Sequence, residues 1–304
     1  EVIGGIHAMV SGRESRRAFH QPPAPPRLHE EVACRTPRVA QSISTGLPGE
    51  EKFKGDKMTE VPRTYVFVPS RNRESTGTTF KALGEQAILV VHQDEEKAYR
   101  DSGATNEIWT HSCETLSEVR NHLLEKCGYK SGIVMLDDDI TCVGEFVNER
   151  GRVVAKKLQW DEWLCKLLDA FNCAANAGYV LFGVSPTANP LCYRKQYTYN
   201  TFVNGPVTCV VNVGLRFTTD IFVKTDYEFT AKCVSHGYQT CRADFLWQKN
   251  DFDKMAGGRK AYSRGDTDRM ESYYYLLSKY PSMFRKNPKR KWELIMKPTQ
   301  RKRG

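Results

Sequence analysis

Short apolar runs alternate with amphipathic segments along the middle of the chain, from Thr64 onward. Apolar runs bounded by Pro, Gly, Ser or Asp predict strands at 64–70, 87–92, 106–111, 132–139 and 179–185. Apolar residues at helical spacing predict helices at 116–128, 159–178, 226–237 and 267–281. A strand pair or one long strand is predicted at 208–219. Because strands and helices alternate, the pattern predicts an α/β fold with a mostly parallel sheet flanked by helices.

The strand predicted at 132–139 ends in three adjacent carboxylates, Asp137, Asp138 and Asp139. Neighbouring carboxylates repel one another, and burial makes each harder to ionise. Ligands of open α/β sheets bind beyond the carboxyl ends of the strands, where these side chains lie. On an extended backbone Asp137 and Asp139 would share one side, and paired carboxylates are the oxygen ligands that Mg²⁺ or Mn²⁺ prefers. We therefore predict a metal site at Asp137 and Asp139, with a solvated surface turn as the alternative.

The two ends of the chain differ from its middle. Residues 1–57 contain "QPPAPPRLHEE" and no regular apolar pattern, so we expect a disordered extension. The last twenty residues carry nine Lys or Arg and one Glu, whereas the whole 304-residue chain has a net charge of +9. The sequence thus predicts one domain at 58–285 and a basic tail at 286–304. That tail is either a solvated end or an arm that binds nucleic-acid phosphates.

Composition argues against several other classes of protein. No apolar run approaches the roughly 18–20 residues of a membrane span, so no membrane partner is expected. The ten cysteines form no CxxC pair, which argues against a zinc ribbon or a thioredoxin-like motif. Several cysteines lie in apolar stretches, as expected for core thiols of an intracellular protein.

Three segments taken together resemble the nucleotide-sugar half of a GT-A glycosyltransferase. They are "YVFVPSRNR" at the first strand, "LSEVRNHLLEK" on the 116–128 helix and "GIVMLDDDI" at 132–140. In that fold a loop after the first strand takes the nucleotide, a later helix carries an Arg-Asn pair near the phosphates, and the next strand ends in a metal-binding DxD motif. The closest resemblance, over about residues 63–285, is to the TET-associated glycosyltransferase group, which is related to the base J glucosyltransferases.

This resemblance implies a role for each segment. Asp137 and Asp139 are expected to bind Mn²⁺ or Mg²⁺. Donor binding is expected at Pro69, Ser70, Arg71, Arg73, Arg120, Asn121 and Asp138. The resemblance also implies a UDP-sugar as donor and a hydroxymethylated pyrimidine in DNA as acceptor. A plain solvated arginine is the alternative reading of Arg120.

The resemblance to GT-A glycosyltransferases also implies a catalytic base at the start of a late helix, and "TDYEF" at 225–229 is the best match. Asp226 and Glu228 are both candidates, and one carboxylate would suffice as general base in an inverting transfer. Acidic residues are also favoured in the first turn of any helix, so ordinary helix capping explains the same pattern. The sequence does not choose between Asp226 and Glu228.

Two further segments carry residues suited to binding. Gly257 and Gly258 lie in the basic loop "MAGGRKAYSRGD", where glycines would let a phosphate or sugar approach the backbone closely. The segment "LCYRKQYTYNTF" at 191–202 mixes aromatic and basic side chains, as surfaces for unpaired bases do. A surface loop and a half-buried strand, respectively, are the structural alternatives.

The sequence therefore predicts a metal-dependent glycosyltransferase that acts on a hydroxyl acceptor, with DNA as the implied acceptor. A nucleotidyltransferase would use paired aspartates in the same way and remains an alternative. A non-catalytic nucleic-acid-binding protein that relies on its basic tail is the second alternative.

Overall fold

The computed structural model describes residues 63–193, 196–250 and 264–297, and the fold is given for these ranges. The strands are β1 Thr64–Pro69, β2 Ile88–His92, β3 Ile108–His111, β4 Gly132–Leu136, β5 Ile140–Glu149, β6 Arg152–Lys157, β7 Tyr179–Ser185, β8 Tyr197–Tyr199, β9 Val207–Val211, β10 Gln239–Asn250, β11 Phe284–Lys286 and β12 Leu294–Met296. The helices are α1 Thr79–Leu83, α2 Glu96–Asp101, α3 Leu116–Cys127, α4 Trp160–Asn176, α5 Thr225–Ser235 and α6 Asp266–Lys279.

One large sheet organises the described residues, in the order β3-β2-β1-β4-β9-β7-β10-β5-β6, with β8 beside β10. The pairs among β1, β2, β3 and β4 are parallel, as is the pair of β7 with β10. Strands β9, β5 and β8 are antiparallel to their neighbours. The other seven strands that the structure describes in this sheet point in one direction. The predicted α/β fold with a mostly parallel, helix-flanked sheet is confirmed.

The centre of the sheet is the most apolar part of the fold. Every residue of β4 and β9 is buried, as expected for strands covered on both faces. On α4, Trp163, Leu167 and Phe171 recur every fourth residue and are fully buried. The Phe171 ring contacts Phe182 of β7 at a centroid distance of 6.0 Å, which fixes the helix on the sheet. This core holds the carboxyl end of β4 in place.

Two predicted strands end earlier than their apolar patterns indicate. Strand β4 ends at Leu136, so the three aspartates lie in a turn and not on the strand. Strand β9 ends at Val211, and the predicted strand structure at 212–219 is wrong. There the Asn212 side chain donates to the carbonyls of Leu124 and Gly128, at 2.6 and 2.7 Å. These bonds divert the chain toward α3, and Gly214 follows at φ +87°.

The hairpin of β5 and β6 and the long strand β10 were not predicted from the sequence. Arg150 and Gly151 join β5 to β6 with φ values of +51° and +81°, which is typical of a tight hairpin turn. Gly144 pairs with Trp247 of β10, and a Cβ there would overlap the Trp247 ring and the Lys156 carbonyl. Only glycine lets β5, β6 and β10 approach this closely.

Part of the predicted basic tail is folded. Strands β11 and β12 pair in antiparallel fashion, and Phe284 and Leu294 pack with Tyr280 in a separate apolar cluster next to α6. Residues 1–57, and the end of the tail at 298–304, lie outside the described residues. Within the described ranges, no helix is both long enough and apolar enough to cross a membrane.

Candidate active site

The three aspartates form the turn between β4 and β5, called the aspartate turn here (residues 137–139). Hydrogen bonds from the start of α1 hold its backbone. The Thr78 amide donates to the Asp138 carbonyl at 2.9 Å, and the Thr79 hydroxyl donates to the Asp137 carbonyl at 2.7 Å. On the opposite flank, the Asp137 amide donates to the Pro206 carbonyl at 2.9 Å. The carboxylates therefore sit on a fixed backbone.

The loop after β1 neutralises two of these carboxylates. Arg73 forms ion pairs with both Asp138 and Asp139, the latter at 3.4 Å. The Ser70 hydroxyl donates to Asp138 at 2.5 Å and also contacts the Tyr99 hydroxyl at 2.7 Å. Because the residues form a turn, the strand alternation expected to separate Asp138 from Asp139 does not apply. One guanidinium nitrogen reaches both carboxylates.

Burial dominates the electrostatics of the aspartate turn. It raises the pKa of Asp138 to about 6, although the neighbouring Arg73 acts in the opposite direction. The pKa of Asp139 is also raised to about 6, first by burial and second by the negative charge of Asp137. Burial raises the pKa of Asp137 as well, and Arg120 opposes it. The negative charges of Asp137 and Asp139 thus repel each other, and a bound cation would relieve that repulsion.

Arg120 connects the aspartate turn to the start of α5. Its residue is only 2% exposed, so the alternative of a solvated arginine does not describe it. The guanidinium lies 3.6 Å from the Asp137 carboxylate and donates to Thr225 at 3.4 Å and to the Gly205 carbonyl at 3.5 Å. It also lies 5.2 Å from the centre of the Phe217 ring. A buried positive charge therefore stands beside the exposed edge of the turn.

Asp226 lies in the first turn of α5 and accepts hydrogen bonds from the backbone amides of Gly205 and Tyr227, at 3.1 and 3.0 Å. Burial raises the pKa of Asp226 and Arg120 lowers it. Its negative charge in turn raises the pKa of Asp137. Asp226 and Asp137 therefore flank the same guanidinium, and Asp226 keeps a partly exposed surface.

Glu228 points to a different place. It is fully buried, accepts a hydrogen bond from the Tyr280 hydroxyl at 2.8 Å and forms an ion pair with Lys232 at 3.1 Å. These partners belong to α5 and to the segment after α6. Of the two predicted base candidates, the fold brings only Asp226 next to the aspartate turn.

The remaining predicted residues have varied surroundings. Pro69 is the last residue of β1. Arg71, on the loop after β1, forms an ion pair with Glu95 at 2.8 Å. Asn121 uses both ends of its amide to bind the backbone of Phe217, at 2.9 and 2.7 Å. It therefore holds the ring that stacks on Arg120. Gly257 and Gly258, like the basic pair at 194–195, lie outside the described residues.

A divalent cation fits the aspartate turn only with help from a substrate. Within the described residues, no group of three or more His, Cys, Asp or Glu side chains could hold a metal ion by itself. Two carboxylates are nevertheless available. Asp137 has 26% of its side chain exposed, and the buried Oδ1 of Asp139 accepts no hydrogen bond from the described residues. Mg²⁺ commonly binds one or two carboxylates together with substrate phosphates and water, so the residues fit such a site.

The residues that hold the site residues in place by hydrogen bonds were not predicted from the sequence. Thr78 and Thr79 follow "STG", a segment that indicates a turn before a helix, so a helix start could have been found there. Tyr99 and Thr225 act through one hydroxyl group each, and Gly205 acts through its backbone amide and carbonyl. Nothing in their local sequence indicates a contact with residues more than 20 positions away.

Comparisons with solved structures return distant likenesses. One is the mannosyltransferase PcManGT from Pyrobaculum calidifontis in complex with GDP-Man and Mn²⁺, with 13% identity and a TM-score of 0.44 over 77% of this chain and 69% of that one. Another is mannose-1-phosphate geranyltransferase from Thermus thermophilus, with 17% identity and a TM-score of 0.27 over 60% and 57%. At these TM-scores neither likeness supports a statement about donor or metal. No curated protein sequence is significantly similar to the chain.

A family model supplies the assignment. The model of the TET-associated glycosyltransferases matches residues 64–258, which is more than half of the chain. The match spans β1, the aspartate turn, Arg120 and Asp226, the residues that meet at the carboxyl end of β4. The chain belongs to the TET-associated glycosyltransferase family and is a glycosyltransferase.

Proposed function

We propose that this glycosyltransferase moves a sugar from a UDP-sugar to the hydroxyl of a hydroxymethylated pyrimidine in DNA, with Mn²⁺ or Mg²⁺ bound. The supporting observation is the meeting of Asp137 and Asp139 with Arg120 and Asp226 at the carboxyl end of β4. A diphosphate leaving group needs positive charge, and an acceptor hydroxyl needs a base. This cluster offers ligands for a cation, a buried guanidinium and one partly exposed carboxylate.

On the donor side, Asp137 and Asp139 would hold the cation, which when bound offsets the charge that develops on the diphosphate. Arg73 pairs with Asp138 and Asp139, so its role is to position the turn. Arg120 orients Asp137 and adds a second positive charge next to it. The loop that carries Ser70 and Arg71 leaves β1 at the same edge of the sheet, where the nucleotide would bind.

On the acceptor side, we assign the base of an inverting transfer to Asp226. Its carboxylate takes the proton of the acceptor hydroxyl while that oxygen bonds to the anomeric carbon of the sugar. The bond from the anomeric carbon to the phosphate oxygen breaks, and UDP leaves with the electron pair. Burial raises the pKa of Asp226, which makes it a stronger base than a solvated aspartate. Glu228 is fully buried by its own partners and stays out of this step.

A transfer assay read by intact mass spectrometry tests the proposal. The protein is incubated with Mn²⁺, with UDP-glucose, UDP-galactose, UDP-N-acetylglucosamine or GDP-mannose, and with an oligonucleotide that contains one 5-hydroxymethylcytosine. We expect one UDP-sugar to add a single sugar mass to this oligonucleotide and none to a 5-methylcytosine control. A gain of a nucleotide mass would instead identify a nucleotidyltransferase. No gain with any donor and acceptor would contradict the proposed acceptor.

Paired variants on α5 test the role of Asp226. We expect Asp226→Asn to lower kcat by a factor of about 10²–10⁴, the usual contribution of a general base. Glu228→Gln is the matched control, because it changes a carboxylate on the same helix that faces other partners. It should lower stability and keep kcat within about threefold of the parent protein. Equal losses of kcat in both variants would contradict the assignment.

A further inference from the structure

A cleft, here called the basic cleft, lies between α6 and the hairpin of β11 and β12. It has a volume of about 540 Å³ and is lined by Tyr273, Tyr274 and Leu277 of α6 and by residues 286–292. None of these residues belongs to the aspartate turn or contacts it among the described interactions. The proposed transfer reaction therefore leaves this cleft without a role.

The hairpin side of the basic cleft is strongly positive. Residues 285–291 read "RKNPKRK" and contain five Lys or Arg and no acidic residue. Lys286, Lys289 and Arg290 are exposed, and none of the three forms an ion pair with the described residues. Lys291 forms a long, exposed ion pair with Asp266, at 3.9 Å, and lies 5.1 Å from the centre of the Trp292 ring. Several positive charges thus face solvent together, which attracts a polyanion.

The helix side of the basic cleft is aromatic. Tyr274 is 57% exposed, an unusual exposure for a large ring in this protein. The Trp292 ring packs against Tyr273 and Tyr274, at centroid distances of 5.6 and 5.8 Å, and braces the exposed ring. A rigid, exposed ring beside unpaired positive charges is the arrangement on which proteins stack bases while binding the phosphates. An anionic lipid surface would attract the same positive charges, so phosphatidylserine vesicles are included in the test below.

Contacts tie the basic cleft to the helix that carries Asp226. Glu293, next to Trp292, forms an ion pair with Lys224 at 2.7 Å, and Lys224 immediately precedes α5. Phe284 of β11 contacts the Tyr227 ring at 6.0 Å. The hairpin is therefore fixed against the first turn of α5, on the acceptor side of the proposed reaction.

We propose that the basic cleft binds a strand of the DNA acceptor, with Lys286, Lys289 and Arg290 on its phosphates and Tyr274 stacked on a base. This inference rests on the proposed function for the identity of the nucleic acid. The strand would be held next to the nucleotide that receives the sugar. A base is exposed for stacking only where the duplex is opened or single-stranded, so the cleft favours a single strand over an intact duplex.

Fluorescence anisotropy with a labelled single-stranded oligonucleotide, measured at several salt concentrations, tests the inference on the full chain. The cleft variant is Lys286→Gln, Lys289→Gln and Arg290→Gln. The control variant is Arg152→Gln, Lys156→Gln and Lys157→Gln, which removes the same charge from exposed positions of β6. Each phosphate contact contributes about 0.7 to the slope of log K against log salt, so we expect the cleft variant to lose about two units of slope. The control should keep the slope of the parent protein.

The role of the exposed Tyr274 ring is tested by Tyr274→Ser, with Tyr129→Ser as the control. Tyr129 is 67% exposed, follows the end of α3 and does not line the basic cleft. We expect Tyr274→Ser to weaken binding of the oligonucleotide by about 5- to 150-fold, the value of one stacked base. Tyr129→Ser should bind as the parent protein does. Binding of a UDP-sugar should be unchanged in all four variants, which separates this test from the test of the donor site.

Three results would overturn the inference. The first is equal loss of slope in the cleft and control variants, which would indicate only a diffuse charge effect. The second is full binding by Tyr274→Ser. The third is loss of binding to phosphatidylserine vesicles by the cleft variant while its binding to the oligonucleotide is kept. Each of these can occur while sugar transfer still takes place, so the proposed function would survive them.

Discussion

Replacing Arg73 by methionine removes the positive charge that forms ion pairs with two buried carboxylates. Arg73 pairs with Asp138 and Asp139, whose residues are 5% and 2% exposed, while its own side chain is 7% exposed. Methionine keeps most of the volume of the side chain and leaves both carboxylates without their cation. Removing one partner of a buried pair costs about 3–5 kcal/mol, because the remaining charge stays desolvated. We expect Arg73→Met to lose free energy of unfolding in this range.

Urea unfolding followed by tryptophan fluorescence, at neutral pH with EDTA present, measures this loss. Arg71→Met is the matched control, because Arg71 lies two residues away and pairs with Glu95 while 23% of its side chain is exposed. Arg71 and Glu95 are both partly exposed, so the control should lose clearly less free energy of unfolding than Arg73→Met does. The double variant Arg73→Met, Asp138→Asn should recover part of the loss, since it removes a carboxylate together with its partner.

Manganese provides a second readout of the same variant. If Asp137 and Asp139 form a cation site, added Mn²⁺ should stabilise Arg73→Met more than the parent protein, since the metal replaces the missing charge.

In the urea experiment, a loss below about 1 kcal/mol for Arg73→Met, the range of an exposed pair, would refute the reasoning. It would show that the pair with Arg73 does not hold the aspartate turn together.

Three further predictions concern stability. Gly144→Ala should lower the free energy of unfolding by about 1–3 kcal/mol, measured by urea denaturation, because the new methyl group would overlap the Trp247 ring; an unchanged midpoint would contradict this. Asn121→Ala should lose about 1–3 kcal/mol by leaving the backbone groups of Phe217 unpaired, whereas the exposed Asn148→Ala should lose almost nothing. Burial and the neighbouring His92, His122 and Arg71 lower the pKa of His111 to about 4, so the contribution of His111 to stability, complete above pH 6.5, should fall by roughly 2 kcal/mol as the pH drops to 4. The raised pKa values of Asp138 and Asp139 act in the opposite direction, so this contribution is read as the difference between the parent protein and His111→Gln. His111→Gln should flatten that part of the profile, and an unchanged profile would contradict the assignment.

The sequence predicted those parts of the fold whose signal is local. The apolar runs of β1, β2 and β4 and the helical pattern of α4 depend on neighbouring residues, and all four elements are present, although β4 ends before the three aspartates. The hairpin of β5 and β6 carries a weaker signal, because its burial alternates irregularly and its outer strand is mostly exposed. The end of β9 depends on Asn212 reaching α3, a contact that no local pattern indicates.

The candidate site also contains residues that the sequence indicates and residues that only the fold distinguishes. The three aspartates were visible because like charges at the end of an apolar strand need an explanation. Asp226 and Glu228 could not be ranked from the sequence, because both suit the first turn of a helix. The fold separates them, since Arg120 crosses from α3 toward Asp226 and Tyr280 crosses from the far side to Glu228. Both contacts join residues more than 50 positions apart.

The proposed function requires the aspartate turn to be a metal-dependent donor site. Isothermal titration calorimetry with UDP and UDP-sugars, with and without Mn²⁺, tests this directly on the parent protein and on Asp139→Asn. We expect binding that requires Mn²⁺ and that Asp139→Asn abolishes, while the urea midpoint of the variant shows that it is folded. Equal binding with and without Mn²⁺, or full binding by folded Asp139→Asn, would show that the aspartate turn is not a metal-dependent donor site.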